Sequence, residues 1–236
     1  MTCDFDIVVV GAGPAGLAAA CEAVRLGKRV AIVDDNPRAG GQVWRQGPRT
    51  QIPAPMRRML SALDAAGNAT IFAATRVAAA PLPQALLLER DDGTARYVSY
   101  AELILAMGAR ERLLPFTGWT LPGVTGAGGL QALIKGGMPV RGERVVIAGT
   151  GPLLMAALAT AREAGAQIVA VVEQAPLASV LRFGTSLAAT PSKLWQAMRL
   201  TRGFAGLSYW TGSVVREVRG EGRVQRVVVR RGKRDV

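Results

Sequence analysis

An α/β fold of two three-layer units, the second nested in the first, with a small antiparallel β meander, is what this 236-residue sequence predicts. Three observations predict it. At residues 7–35 a β-branched run, a glycine-rich turn, an alanine-rich helix, a second apolar run and an acid follow one another. The same series returns near residue 145. Half of the residues are apolar and 28 are glycine, so the chain can bury a core and punctuate it with tight turns.

Taken in order, Ile7–Val10 reads as a parallel strand buried on both faces. Gly11-Ala12-Gly13-Pro14-Ala15-Gly16 follows, then a helix over Leu17–Leu26 ended by Gly27. Arg29–Val33 is the next strand, and Asp34 and Asp35 end it. This is a Rossmann-like βαβ unit with the dinucleotide fingerprint in its required context. Gly11 permits the tight turn off the strand, and Gly13 leaves room for a pyrophosphate to reach the helix mouth opened by Pro14 and Ala15. Gly16 lets the helix pack close to the sheet. Asp34 stands 23 residues after Gly11, near the ~20 expected for a carboxylate on a ribose hydroxyl.

A helix is expected over Met56–Ala66 and a strand over Thr70–Ala74. Residues 84–105 read as hairpin material around the turn Asp91-Asp92-Gly93. Residues 116–142, rich in Gly and Pro, read as a linker between a first segment, 1–115, and a second domain, 143–236. That domain opens with a strand at Val145–Ala148, the turn Gly149-Thr150-Gly151, a helix to Ala164 and a strand at Ile168–Val172. Glu173 follows, 24 residues after Gly149. Leu154 replaces the third glycine and should push this helix off its strand. Two readings of the second turn stay open: a phosphate site for NAD(P), or a repeat kept for its fold. Glu173 favours an unphosphorylated ribose, because a 2′-phosphate would be repelled unless a cation such as Arg182 offset it.

The net charge of +12 is carried almost wholly by scattered Arg, with Lys at 28, 135, 193 and 233 alone. Aromatic residues are few and not interleaved with the charges, so no nucleic acid is expected; an acidic partner or anionic cofactor suits the charge better. No apolar run reaches the roughly 18–20 residues of a membrane span. Cys3 and Cys21, without CxxC spacing, suit a reducing cytoplasm, and a soluble cytoplasmic protein is expected. Histidine is absent, which rules out an imidazole relay, and the lack of CxxC rules out a dithiol relay. Cys21 reads as inert core and Lys28 as a solvated charge after the helix. No catalytic acid or base and no metal ligand is assigned.

Four features together resemble the two-dinucleotide-domain flavoproteins, the pyridine nucleotide-disulfide oxidoreductase type, with FAD on the first unit and NAD(P) on the second. They are GAGPAG at 11–16 with its acid, NPRAGGQVWR at 36–45, ILAMGARERLLPFTGW at 104–119, and the second glycine turn. The resemblance implies that Gly41 and Gln42 lie over the FAD ribityl and isoalloxazine, with Arg45 beside the flavin. It also implies that Ala106 and Gly108 form the turn returning to the FAD pyrophosphate, with Met107 where Thr is usual. Trp44 and Trp119 are candidates to wall the ring, or ordinary packing residues.

Within that group, RAGGQVWRQ and LPFTGWTLPGVTGAGGLQALIKGG resemble the FAD-carrying members of heteromeric amine and imino-acid dehydrogenases. This subgroup includes the flavoprotein subunits of hydrogen cyanide synthase, of opine oxidase and of proline or hydroxyproline dehydrogenase. The resemblance implies an FAD-dependent oxidoreductase subunit with a small-molecule redox substrate. It would pair with a second flavoprotein subunit, passing electrons from amine or amino-acid oxidation to an acceptor. Members are about twice this length, so the chain reads as C-terminally truncated and its FAD domain as incomplete. An NAD(P)H-dependent flavin reductase without a disulfide centre, or a truncated non-catalytic binding module, remain the alternatives.

Overall fold

In the computed structural model, strand β1 (Phe5–Val10) divides its side chains between two cores, Val9 facing one and Val8 the other. The structure describes residues 3–47, 50–109, 111–190, 192, 195 and 206–236, and the chain forms two units, residues 1–110 and 111–236.

In the first unit β1 lies between β2 (Val30–Val33) and β6 (Ala95–Leu105), and β3 (Ala69–Phe72) pairs with β2, all in parallel. Every residue of β2 is buried, as its apolar run requires. Helices α1 (Pro14–Arg25) and α2 (Ala54–Ala66) cover one face, packing Leu17, Ala20, Val24, Met56 and Leu63 on Val9, Val30 and Ile32. On the other face Leu86, Leu88 and Val98 close over Val8, Ala31 and Val33. Each such Val or Leu contributes about 1.5–3 kcal/mol on burial, so both faces help hold the strand that carries the glycine turn.

The meander runs β4 (Thr75–Leu82), β5 (Ala85–Arg90) and β6, and it continues the parallel sheet. The two apolar pieces on either side of residue 100 form one strand. Its first part, Ala95–Ser99, pairs antiparallel with β5, and its second, Tyr100–Leu105, runs parallel to β1. Strand β4 was not anticipated, because its alanines and Pro81 carry weak strand preference; as an edge strand it tolerates the proline. The strand expected to reach Ala74 stops at Phe72, since Ala74 turns the chain with φ +48.

In the second unit the stretch 116–142 contains a helix, α3 (Ala127–Lys135), that its glycines concealed. Glu111 Oε2 accepts from the N–H groups of Gly128 (2.9 Å) and Gly129 (3.3 Å), two amides of its first turn. There follow β7 (Arg144–Gly149), α4 (Leu153–Glu163), β8 (Gln167–Glu173), α5 (Leu177–Ser186) and β9 (Tyr209–Trp210), with β7-β8-β9 a parallel sheet. Strands β10 (Ser213–Arg219), β11 (Arg226–Arg231) and β12 (Arg234–Asp235) make a separate antiparallel sheet. Ile147, Leu154, Leu158, Ala161 and Val171 form the core between α4 and its sheet. Among the described residues no helix is long and apolar enough to cross a membrane.

Candidate dinucleotide site

Four of the five glycines the sequence places at the first turn and the loop over it are demanded by the protein itself, Gly40 among them with φ +125 and the Trp44 carbonyl against it. Gly11 has φ +107, and a methyl carbon there would lie 2.4 Å from the Ala106 carbonyl oxygen. One on Gly16 would lie 1.8 Å from the Gly11 carbonyl oxygen, so α1 sits directly on the turn. Gly41 has φ +57 and would meet the Gly13 α-carbon at 3.0 Å. Gly13 differs. Its φ of −73 suits any residue, and an added methyl would meet nothing closer than Gly41 at 3.9 Å. Neither backbone conformation nor internal packing requires a glycine at that position.

The N–H groups of Gly13, Ala15 and Gly16 have no bond partner among the described residues, while Pro14 has no N–H to satisfy. The α1 mouth therefore presents three free donors beside a corner without side chains. The loop expected over this corner packs on it: Gly40 N–H donates to the Ala12 carbonyl at 2.8 Å. So does the third segment, where Ala106 N–H donates to the Val10 carbonyl at 2.8 Å. Gly108, φ +70, and the exposed Met107 follow it. Gln42 is exposed. Trp44 packs on the α1–α2 core as an ordinary packing residue does, and Trp119 belongs to the second unit. Cys21 also packs there, and burial pushes its thiol pKa up, as expected of core.

Asp34 has a role the sequence did not reveal. Its carboxylate is 7% exposed and closes the turn: Oδ2 accepts from Ala12 N–H at 2.5 Å, and Oδ1 accepts from the Asn36 N–H and side-chain amide, both at 2.8 Å. Oδ2 keeps capacity for one further donor. Asn36 was missed. Its amide also donates to Asp35, and its Oδ1 accepts from Arg45 Nη2 at 3.4 Å, linking the acid to the arginine. The Asn-Pro pair at 36–37 is the turn signal that marks it. Arg45 Nε is buried with no partner, which is costly unless something at the site accepts from it.

The second turn is built alike but bonded differently. Glu173, 2% exposed, accepts from Gly151 N–H at 3.2 Å, Ala175 N–H at 2.9 Å and the Tyr209 hydroxyl at 3.4 Å. Burial, then the Glu173 charge and its hydrogen bond, push the Tyr209 pKa up to about 12. The Leu154 side chain packs 3.3 Å from where a Gly149 methyl would be.

Over residues 5–235 the sequence matches the family described as pyridine nucleotide-disulphide oxidoreductase. The chain belongs to that family. Among its relatives, an opine oxidase subunit of Agrobacterium tumefaciens is 38% identical over 186 residues, which cover 72% of this chain and 37% of that protein. Hydrogen cyanide synthase subunit HcnB of Pseudomonas aeruginosa is 32% identical over 235 residues, covering 94% and 50%. The crystal structure of L-proline dehydrogenase from P. horikoshii shares the fold, with TM-score 0.61 at 18% identity over 95% of this chain and 38% of that one. The chain thus spans half or less of the length of these relatives. Members of the pyridine nucleotide-disulphide oxidoreductase family bind FAD, often together with NAD(P). The α1 mouth fits the first of these: free amides, an open corner at Gly13 and the unpartnered Nε of Arg45 suit a diphosphate. The α4 mouth does not fit the second, because most of its amides are already bonded.

Proposed function

We propose that the first glycine turn binds FAD and that the chain serves as the FAD-carrying subunit of a heteromeric oxidoreductase. Electrons would pass from oxidation of an amine or amino acid, of the opine, proline or glycine type, to an acceptor. The observation that carries this reading is Gly13, a glycine that the protein does not need for itself. The amides of Gly13, Ala15 and Gly16 would hold the diphosphate, and Asp34 Oδ2 would accept from a ribose hydroxyl. Arg45, with Asn36 behind it, would supply positive charge, and Gln42 in its exposed loop would reach the ring. Bound FAD supplies the redox chemistry through its isoalloxazine, while the chain binds and orients it.

The partner is read from relatives named as subunits, and the +12 charge suits an acidic partner surface. A cytoplasmic location belongs to the same reading. The test is spectroscopic. Protein incubated with FAD and desalted should keep a flavin spectrum, and Gly13→Asp should lose it while its circular dichroism is unchanged. Wild-type protein that retains no flavin at saturation would overturn the proposal.

A further inference from the structure

We infer that the second glycine turn is closed by its own chain and holds no nicotinamide dinucleotide. The two turns align residue by residue, Gly11-Ala12-Gly13-Pro14-Ala15-Gly16 with Gly149-Thr150-Gly151-Pro152-Leu153-Leu154. In the first, the three amides that face a diphosphate are free. In the second, Gly151 N–H is taken by Glu173 Oε2, and Leu154 N–H donates to the Gly151 carbonyl at 3.2 Å. Met155 N–H, one residue on, donates to the Pro152 carbonyl at 3.1 Å, so α4 begins in a tightened turn. Leu153 N–H is the one equivalent donor without a partner among the described residues.

Side chains reinforce the closure. Leu154, 3% exposed and part of the core, stands where Gly16 brings α1 onto the carbonyl of the first turn. Reopening the mouth would require moving a packed leucine. Tyr209 adds a second donor to the oxygen that holds Gly151, so Glu173 is anchored from both sides. Oε2, the oxygen on the turn amide, already accepts from both Gly151 N–H and the Tyr209 hydroxyl, whereas Asp34 Oδ2, its counterpart in the first turn, accepts from Ala12 N–H alone. The acid that favours NAD(H) in an open site here serves to close one.

The closed turn is a property of the second unit whether or not FAD sits in the first, so its test can fail independently of the FAD test. The full chain is titrated with NADH and NADPH to about 1 mM by equilibrium dialysis. In parallel, hydrogen exchange is followed at residues 151–155. No saturable binding and no change in exchange are expected, and flavin retained by the same sample stays oxidised when NADH is added. Saturable binding in the micromolar range, or slowed exchange at residues 151–155 on adding either nucleotide, overturns the inference.

Discussion

Gly13 and Gly11 differ by two positions in sequence and by kind in what they do. A Gly13→Ala change should leave the fold in place, at a cost of about 1 kcal/mol or less for an altered N-cap, yet weaken FAD binding. Isothermal titration beside a thermal melt separates the two effects. Gly11→Ala should do the reverse. Its φ of +107 and the Ala106 carbonyl 2.4 Å away predict a loss of about 2 kcal/mol or more in the melt, with flavin lost as a consequence. The glycine spacing was legible because each position answers a local backbone need. Asp34 was legible as an acid at the right distance but not as the clasp of the turn, since its bond to Ala12 exists only once β1 and β2 pair. Asn36 was marked by its Asn-Pro turn signal, which does not tell that its amide links Asp34 to Arg45.

Strand β6 changes pairing partner along its length, from β5 to β1. At the change, Ser99 N–H and hydroxyl both donate to the Asp4 carboxylate at 2.9 Å, tying the start of β1 to the middle of β6. The Ser99 backbone bond first, then its hydroxyl, hold the Asp4 pKa below its ordinary 3.8. A carboxylate depressed in the folded state stabilises it above the unfolded pKa, and that contribution is lost as pH falls through the folded value. Urea midpoints should therefore drop below about pH 4, and Asp4→Asn should flatten part of that slope. Because the site is exposed, the effect at neutral pH is expected to be small. Strong periodicity made β1, α1, β2 and the repeat at 144–173 readable. Strand β4 and helix α3 were not, because alanine, proline and glycine carry little pattern and their pairing partners lie elsewhere in the chain.

For the whole molecule, two βαβ units in one chain were visible from the doubled glycine series, as was the family. The unequal bonding of the two mouths was not: Val10 pairs with Val33 and Ala148 with Val172, so both acids hold the same register, and only the folded turns show that one meets Ala12 and the other Gly151. FAD at about a hundred times its Kd should raise the melting temperature by about 5–10 °C, whereas NADH at the same concentration should not move it. Glu111 has a practical consequence for dissecting such a chain. It is the first residue of the second unit and clasps the start of α3, so a cut placed before it yields a piece whose leading helix keeps its own stopper. A cut a few residues later strips that stopper and leaves the helix to fray from its open end.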